Sequence, residues 1–421
     1  MSYNKLKSTI FASCMEYSTC TLSNGLRVIY LPSASQVVYC GYQVDAGTRD
    51  ELPGEEGMAH FCEHVSFKGT KHRKAWHILN CLESVGGDLN AFTNKEDTVY
   101  YASVLKEHLP RAVDVLSDIV FRSVYPEKEI SKEVEVICDE IESYNDSPSE
   151  LIYDEFEDII FKGHPLGHNI LGEAEQLRTY TGQSAARFTQ RLYTPENMVF
   201  FVHGDVNFNR LVKLLEKTLS DIPARKPVKS GDVAMPEYHP GLYEINHNTH
   251  QVHVMMGNRA YCATDDRRIP LYLLNNILGG PGMNAYFNLS LRERKGLVYN
   301  VESNMVCYRD TGLWSVYFGC DPHDADKCMR LVRQEMAKVK DNMFTSSRLA
   351  AAKKQIKGQI GVASDSRENF ALDMGRVYLH FSEKKDLEQM YEEIEAVTAE
   401  QIQNVANEVF DESKLTTLVI K

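Results

Sequence analysis

The chain has 421 residues, 43% of them hydrophobic, and a formal net charge of −13 from 59 acidic and 46 basic side chains. That acidity disfavours nucleic-acid binding, and no apolar run approaches the roughly 18 residues of a membrane span. Ten cysteines without C-x-x-C pairs argue against a disulfide framework and for a reducing compartment, and the length calls for two cores.

In chain order, the first fifteen residues hold Lys5 and Lys7 and no acid, as a weak organellar presequence would, but they lack Arg and a hydrophobic signal core. The expected location is cytoplasmic, with an organellar matrix as the lesser alternative. Residues 37–44 alternate as a half-buried strand does. Then comes His60-Phe61-Cys62-Glu63-His64. On a helix this run puts two imidazoles one turn apart with a carboxylate beside them. Neutral His nitrogens at i and i+4 can bind one Zn²⁺, and a Glu at i+3 can reach a water at that metal. Five residues also match by chance, so a surface helix with two solvated histidines stays open from this run alone. Cys62 lies about 200° around such a helix from His60, faces away from the metal and reads as a small buried hydrophobe. The basic cluster from Lys68 to Lys74 reads as a solvated turn rather than a phosphate site. Asn90-Ala91-Phe92-Thr93 reads as a hairpin edge, and 99–105 as a strand running into an amphipathic helix.

A zinc site that keeps one position open needs three protein ligands, and Glu140 is the best third candidate. Between residues 126 and 144, Ile130, Val134, Ile137, Ile141 and Tyr144 make one apolar stripe at helical spacing. Glu133 and Glu140 flank the stripe, whereas Glu135, Asp139 and Glu142 point away from it. Carboxylates at the edge of a core need partners. Ordinary charged positions on an amphipathic helix are the alternative.

Residues 223–241 are rich in Pro, Lys and Gly without apolar periodicity, which divides the chain into 1–222 and 242–421. The two parts share an order of elements. Strands expected at 37–44 and 251–256 open them, strand pairs with 99–105 and 313–319 lead into amphipathic helices, and an aromatic, a polar turn and a strand close each part. The expected fold class is α+β: two homologous units, each a mostly antiparallel sheet packed by helices. The copies differ where chemistry is expected. Residues 278–284, aligned with the histidine run, carry no histidine, and 348–356 carry Arg348, Lys353 and Lys354 where the first copy has acids. Only the first copy can hold the metal.

Gly57-Met58-Ala59-His60-Phe61-Cys62-Glu63-His64, then Phe67-Lys68-Gly69-Thr70, Gly86-Gly87-Asp88-Leu89-Asn90-Ala91, His164-Pro165-Leu166-Gly167 and Arg292-Glu293-Arg294-Lys295-Gly296-Leu297-Val298-Tyr299 occur in that order. Together with Glu133 and Glu140, this series resembles the pitrilysin family of inverzincin metallopeptidases, in its short branch similar to mitochondrial processing peptidase and its bacterial relatives. The resemblance implies one Zn²⁺ per chain held by His60, His64 and Glu140, with Glu63 as general base and Glu133 as a supporting carboxylate. It further implies that Arg292 and Tyr299 bind substrate and the transition state, and that Asn90, Ala91 and Phe92 form the edge to which a peptide adds as a strand. The implied activity is zinc-dependent endopeptidase action on unstructured peptides inside a closed chamber. A chain of this length has half the units of a complete chamber, so a homodimer is expected, each site completed by Arg292 and Tyr299 of the partner chain. The competing expectation is a non-catalytic structural or peptide-presenting subunit. Such relatives usually lose zinc or base residues.

Overall fold

The computed structural model describes residues 16–421 except 230 and 232, so the Lys5 and Lys7 segment lies outside the described residues. Strands β1 (Ser18–Thr21), β2 (Arg27–Pro32), β3 (Val37–Val44), β4 (Asp88–Thr93), β5 (Thr98–Leu105) and β6 (Met198–Gly204) form one sheet in the order β1-β2-β6-β3-β5-β4. Strands β7 (Leu242–Ile245), β8 (Val252–Ala260), β9 (Val298–Cys307), β10 (Gly312–Cys320) and β11 (Thr416–Ile420) form a second, in the order β7-β11-β8-β10-β9. With β1 set aside, the two orders correspond strand for strand. In each half the opening and closing strands pair in parallel, β2 with β6 and β7 with β11, and every other neighbour is antiparallel. The protein is therefore two α+β units related by pseudo-symmetry.

Five helices of the first half matter for the site: α1 (Met58–Ser66), α2 (Ala75–Glu83), α3 (Leu109–Phe121), α4 (Glu127–Asn145) and α5 (Pro148–Ile160). Helical periodicity gathers Met58, Phe61, Cys62 and Val65 on the buried side of α1, and Ile130, Val134, Ile137, Cys138 and Ile141 on that of α4. They meet Val38, Cys40, Tyr42 and Val44, which the two-residue period of β3 sends to the same side of the sheet.

The opposite face of the first sheet is covered from the second half. Helix Arg367–Phe381 lays Phe370, Ala371, Met374 and Leu379 on Ile29, Leu31, Val99, Val199 and Phe201. The exchange is reciprocal: α5 carries Ile152, Phe156 and Ile160 onto Met255, Leu313, Tyr317, Leu418 and Ile420 of the second sheet. Ion pairs rim this shared interface. Arg49 lies 2.7 Å from Glu96 and also pairs with Asp310 of the second half, while Arg309 reaches Glu96 at 3.2 Å. Residues 223–241 contain no helix or strand among the described residues, yet Lys229 reaches Asp45 at 2.7 Å and Arg259 donates to the Pro236 carbonyl at 2.8 Å.

One alignment made from sequence shifts. The helix that follows β8, as α1 follows β3, is Arg268–Gly279, so residues 278–284 are its end and the turn after it. The conclusion about chemistry is unchanged, because this helix contains no His, Cys, Asp or Glu. Among the described residues no helix is long and apolar enough to cross a membrane.

Candidate metal centre

Helix α1 presents His60 and His64 one turn apart, with ring centroids 4.5 Å from each other. Helix α4 packs across it and brings Glu140 over the pair: its Oε2 lies 3.9 Å from His60 Nε2 and 3.5 Å from His64 Nε2. The three ligand atoms lie within 4.8 Å of one another.

The surroundings fix the state of each donor. Burial, with help from His64, pulls the His60 imidazole down to about 3, so it is neutral near pH 7. His64 Nδ1 lies 2.9 Å from Glu133 Oε1. A carboxylate only accepts, so Nδ1 carries the hydrogen, and in the neutral ring the Nε2 lone pair is left toward Glu140. Burial alone would lower His64, but this bond and the charges of Glu63, Glu133 and Glu140 outweigh it and raise the ring. Glu133 is held below its ordinary value, since its bonds to His64 and Lys68, the latter at 2.6 Å, overcome its own burial. Two imidazoles and one carboxylate, with Glu133 behind the second nitrogen of the His64 ring, fit a zinc ion with an open fourth position.

Glu63 sits one residue before His64 and is buried. Its Oε2 accepts the Thr93 hydroxyl at 3.0 Å, which ties it to the end of β4. Burial raises its carboxyl; His64 and the Thr93 bond oppose this, and Glu140 adds to it. Asn90, Ala91 and Phe92 lie on β4, the edge of the first sheet, whose only neighbour among the described residues is β5. Phe92 also lines a cavity of about 940 Å³ between the halves.

Arg292 and Tyr299 stand in the second half. Arg292 lies in the last turn of a π-type helix, Asn288–Glu293; Gly296, at φ +60°, reverses the chain after it, its N–H closing on the Arg292 carbonyl at 2.7 Å. Tyr299 follows on edge strand β9, its ring 5.9 Å from the Arg292 guanidinium carbon, and both line one cleft with Tyr153 and Glu302. No hydrogen bond or ion pair among the described residues joins either to His60, Glu63, His64 or Glu140. Tyr299 is 86% exposed.

Lys68 and Thr93, partners of Glu133 and Glu63, were not singled out in those roles from sequence. Lys68 follows His64 by four residues, a weak signal for a shared helix face. The Thr93 contact spans 30 residues and left no local signal.

Residues 27–174 match the family described as Insulinase (Peptidase family M16), and residues 179–356 match the Peptidase M16 inactive domain. A Bacillus subtilis protein called uncharacterized zinc protease YmxG is 32% identical over 95% of this chain and 97% of its own. An uncharacterized zinc protease of Rickettsia bellii is 30% identical over 96% and 97%. The crystal structure of a protease from Helicobacter pylori shares the fold, with a TM-score of 0.88 at 22% identity over 97% and 99% of the two chains. So does a Pseudomonas fluorescens structure described as a peptidase M16 inactive domain, with a TM-score of 0.89 at 18% identity over 96% and 98%. The chain belongs to peptidase family M16, as a short, two-domain member of the pitrilysin type.

Proposed function

We propose that the chain is a zinc-dependent endopeptidase that cleaves unstructured peptides inside a chamber closed by a second copy of itself. The observation that carries this reading is the convergence of His60, His64 and Glu140, with Glu63 on the same helix held against the open edge of the first sheet. When bound there, Zn²⁺ supplies Lewis acidity that favours deprotonation of the attacking water and polarises the scissile carbonyl. Glu63 takes the proton from that water and delivers it to the leaving amine. Glu133 keeps His64 in the tautomer that leaves Nε2 free. The peptide adds to β4 as a strand, so its backbone supplies most of the recognition and folded proteins, which offer no free strand, are excluded.

The exposure of Tyr299, and a cleft around it and Arg292 that His60, His64 and Glu140 do not line, support a site completed by the partner's Arg292 and the partner's Tyr299. The tyrosine hydroxyl would donate to the developing oxyanion and the guanidinium would anchor the substrate backbone. Nine free cysteines among the described residues suit a reducing compartment, and the cytoplasm is the proposed location.

Removing the metal with a chelator is expected to abolish cleavage of a quenched, unstructured peptide, and stoichiometric zinc to restore it. Retained zinc without turnover on a varied peptide set would replace the enzyme by a peptide-presenting subunit. Shared sites are tested by mixing: Glu63→Gln and Tyr299→Phe chains, each impaired alone, should regain one working site per mixed dimer. No recovery after confirmed subunit exchange overturns the dimeric site.

A further inference from the structure

Helix α1 begins without a side-chain cap. Its N-cap is Gly57, in the left-handed region at φ +84°, and a Cβ there would meet the backbone of Leu171 at 2.7 Å and of Gly172 at 2.8 Å. The first N–H groups of any helix nevertheless need acceptors, and nine residues are too few to fix a helix end by themselves. Glu51 supplies the acceptors. Its Oε1 accepts the Ala59 N–H at 2.7 Å, and its Oε2 accepts the Gly57 N–H at 3.1 Å. The Glu51 side chain is 1% exposed, and Oε2 also accepts from His168 Nε2 at 2.6 Å.

His168 is itself anchored. Its carbonyl accepts from Lys95 Nζ at 2.6 Å, Lys95 lies 3.5 Å from Glu157 on α5, and Glu157 accepts the Tyr308 hydroxyl of the second half at 2.8 Å. Contiguous polar contacts thus run from the second half to the start of α1, one residue before the first zinc ligand. Burial drives the Glu51 carboxyl up to about 7 against the pull of His168 and both backbone N–H groups. A buried carboxylate is a costly way to fill space and a good way to hold a helix terminus.

We propose that Glu51 is a positioning residue that sets where His60 and Glu63 stand relative to Glu140, with His168 holding its carboxylate in place. The proposal rests on the peptidase reading for its kinetic arm alone. The test compares Glu51→Gln and His168→Ala with the wild-type full-length chain. Its readouts are zinc affinity by chelator competition, the visible absorption spectrum of the Co²⁺-loaded protein, kcat and KM at saturating zinc, and thermal unfolding. The expected result is a changed cobalt spectrum, weaker zinc binding and a kcat lower by on the order of 10- to 100-fold, with KM little changed, as for a reacting group displaced by about 1 Å. A cobalt spectrum and a kcat per zinc-loaded site equal to wild type, with only a lower melting temperature, overturn the proposal. Should Glu51→Gln fail to fold, His168→Ala, which keeps the carboxylate, decides alone. If the wild type binds zinc but cleaves nothing, the peptidase reading falls, and the spectrum and zinc affinity still decide the positioning role.

Discussion

Replacing Glu63 by Gln is expected to lower kcat/KM on an unstructured peptide by about 10²- to 10⁴-fold, the usual contribution of a positioned general base. Zinc content should not change. The substitution preserves shape, and the carbonyl oxygen of the introduced amide can still accept the Thr93 hydroxyl that Glu63 accepts at 3.0 Å. What disappears is basicity at one oxygen pair. In free-energy terms the loss is about 3 to 5 kcal/mol of transition-state stabilisation, far above the cost of an exchanged surface side chain. Metal analysis and steady-state kinetics on the same preparation check it. A variant with full zinc and more than roughly a tenth of wild-type turnover would move the general base away from Glu63.

Truncating Phe156 to Ala should cost about 3 to 5 kcal/mol of unfolding free energy, the range for a large aromatic removed from a packed core. Phe156 is fully buried, yet its surroundings belong to the other half: Met255, Leu313 and Leu418 of the second sheet share its cluster, and its ring packs against the backbone of Gly257. The cavity cannot collapse easily, because a sheet lies on one side and a helix on the other. Denaturant unfolding followed by probes in both halves checks the magnitude and its reach. Both halves should lose stability together, since α5 is carried by one and packed on the other. A loss below about 1 kcal/mol, typical of a site that relaxes freely, would contradict the rigid packing described.

Much of the metal centre was legible because its logic is local. His60 and His64 are one helical turn apart, and the seven-residue spacing of Glu133 and Glu140 beside an apolar stripe needs only the 3.6-residue period. The repeat was legible for a similar reason, since the order of strands and helices survives divergence of side chains. Contacts set by chain folding alone were harder. Thr93 meets Glu63, and Glu51 meets the start of α1, only after β4 and the loop before α1 are in place. The apolar stripe of α5 announces burial but not which sheet receives it, so the exchange of helices was invisible. The Gly-Pro turn after helix Arg268–Gly279 drew the alignment of the second copy beyond its true counterpart.

The exchange of helices also has a consequence in time. During synthesis the strands of the first sheet, the last of them β6, leave the ribosome well before the helix that roofs it, Arg367–Phe381. Until that segment emerges, Ile29, Leu31, Val199 and Phe201 face water, and the nascent half cannot reach its final stability. The first half is therefore expected to settle only after residues 367–381 have been made, so that a translation product interrupted before them is left with one flank bare.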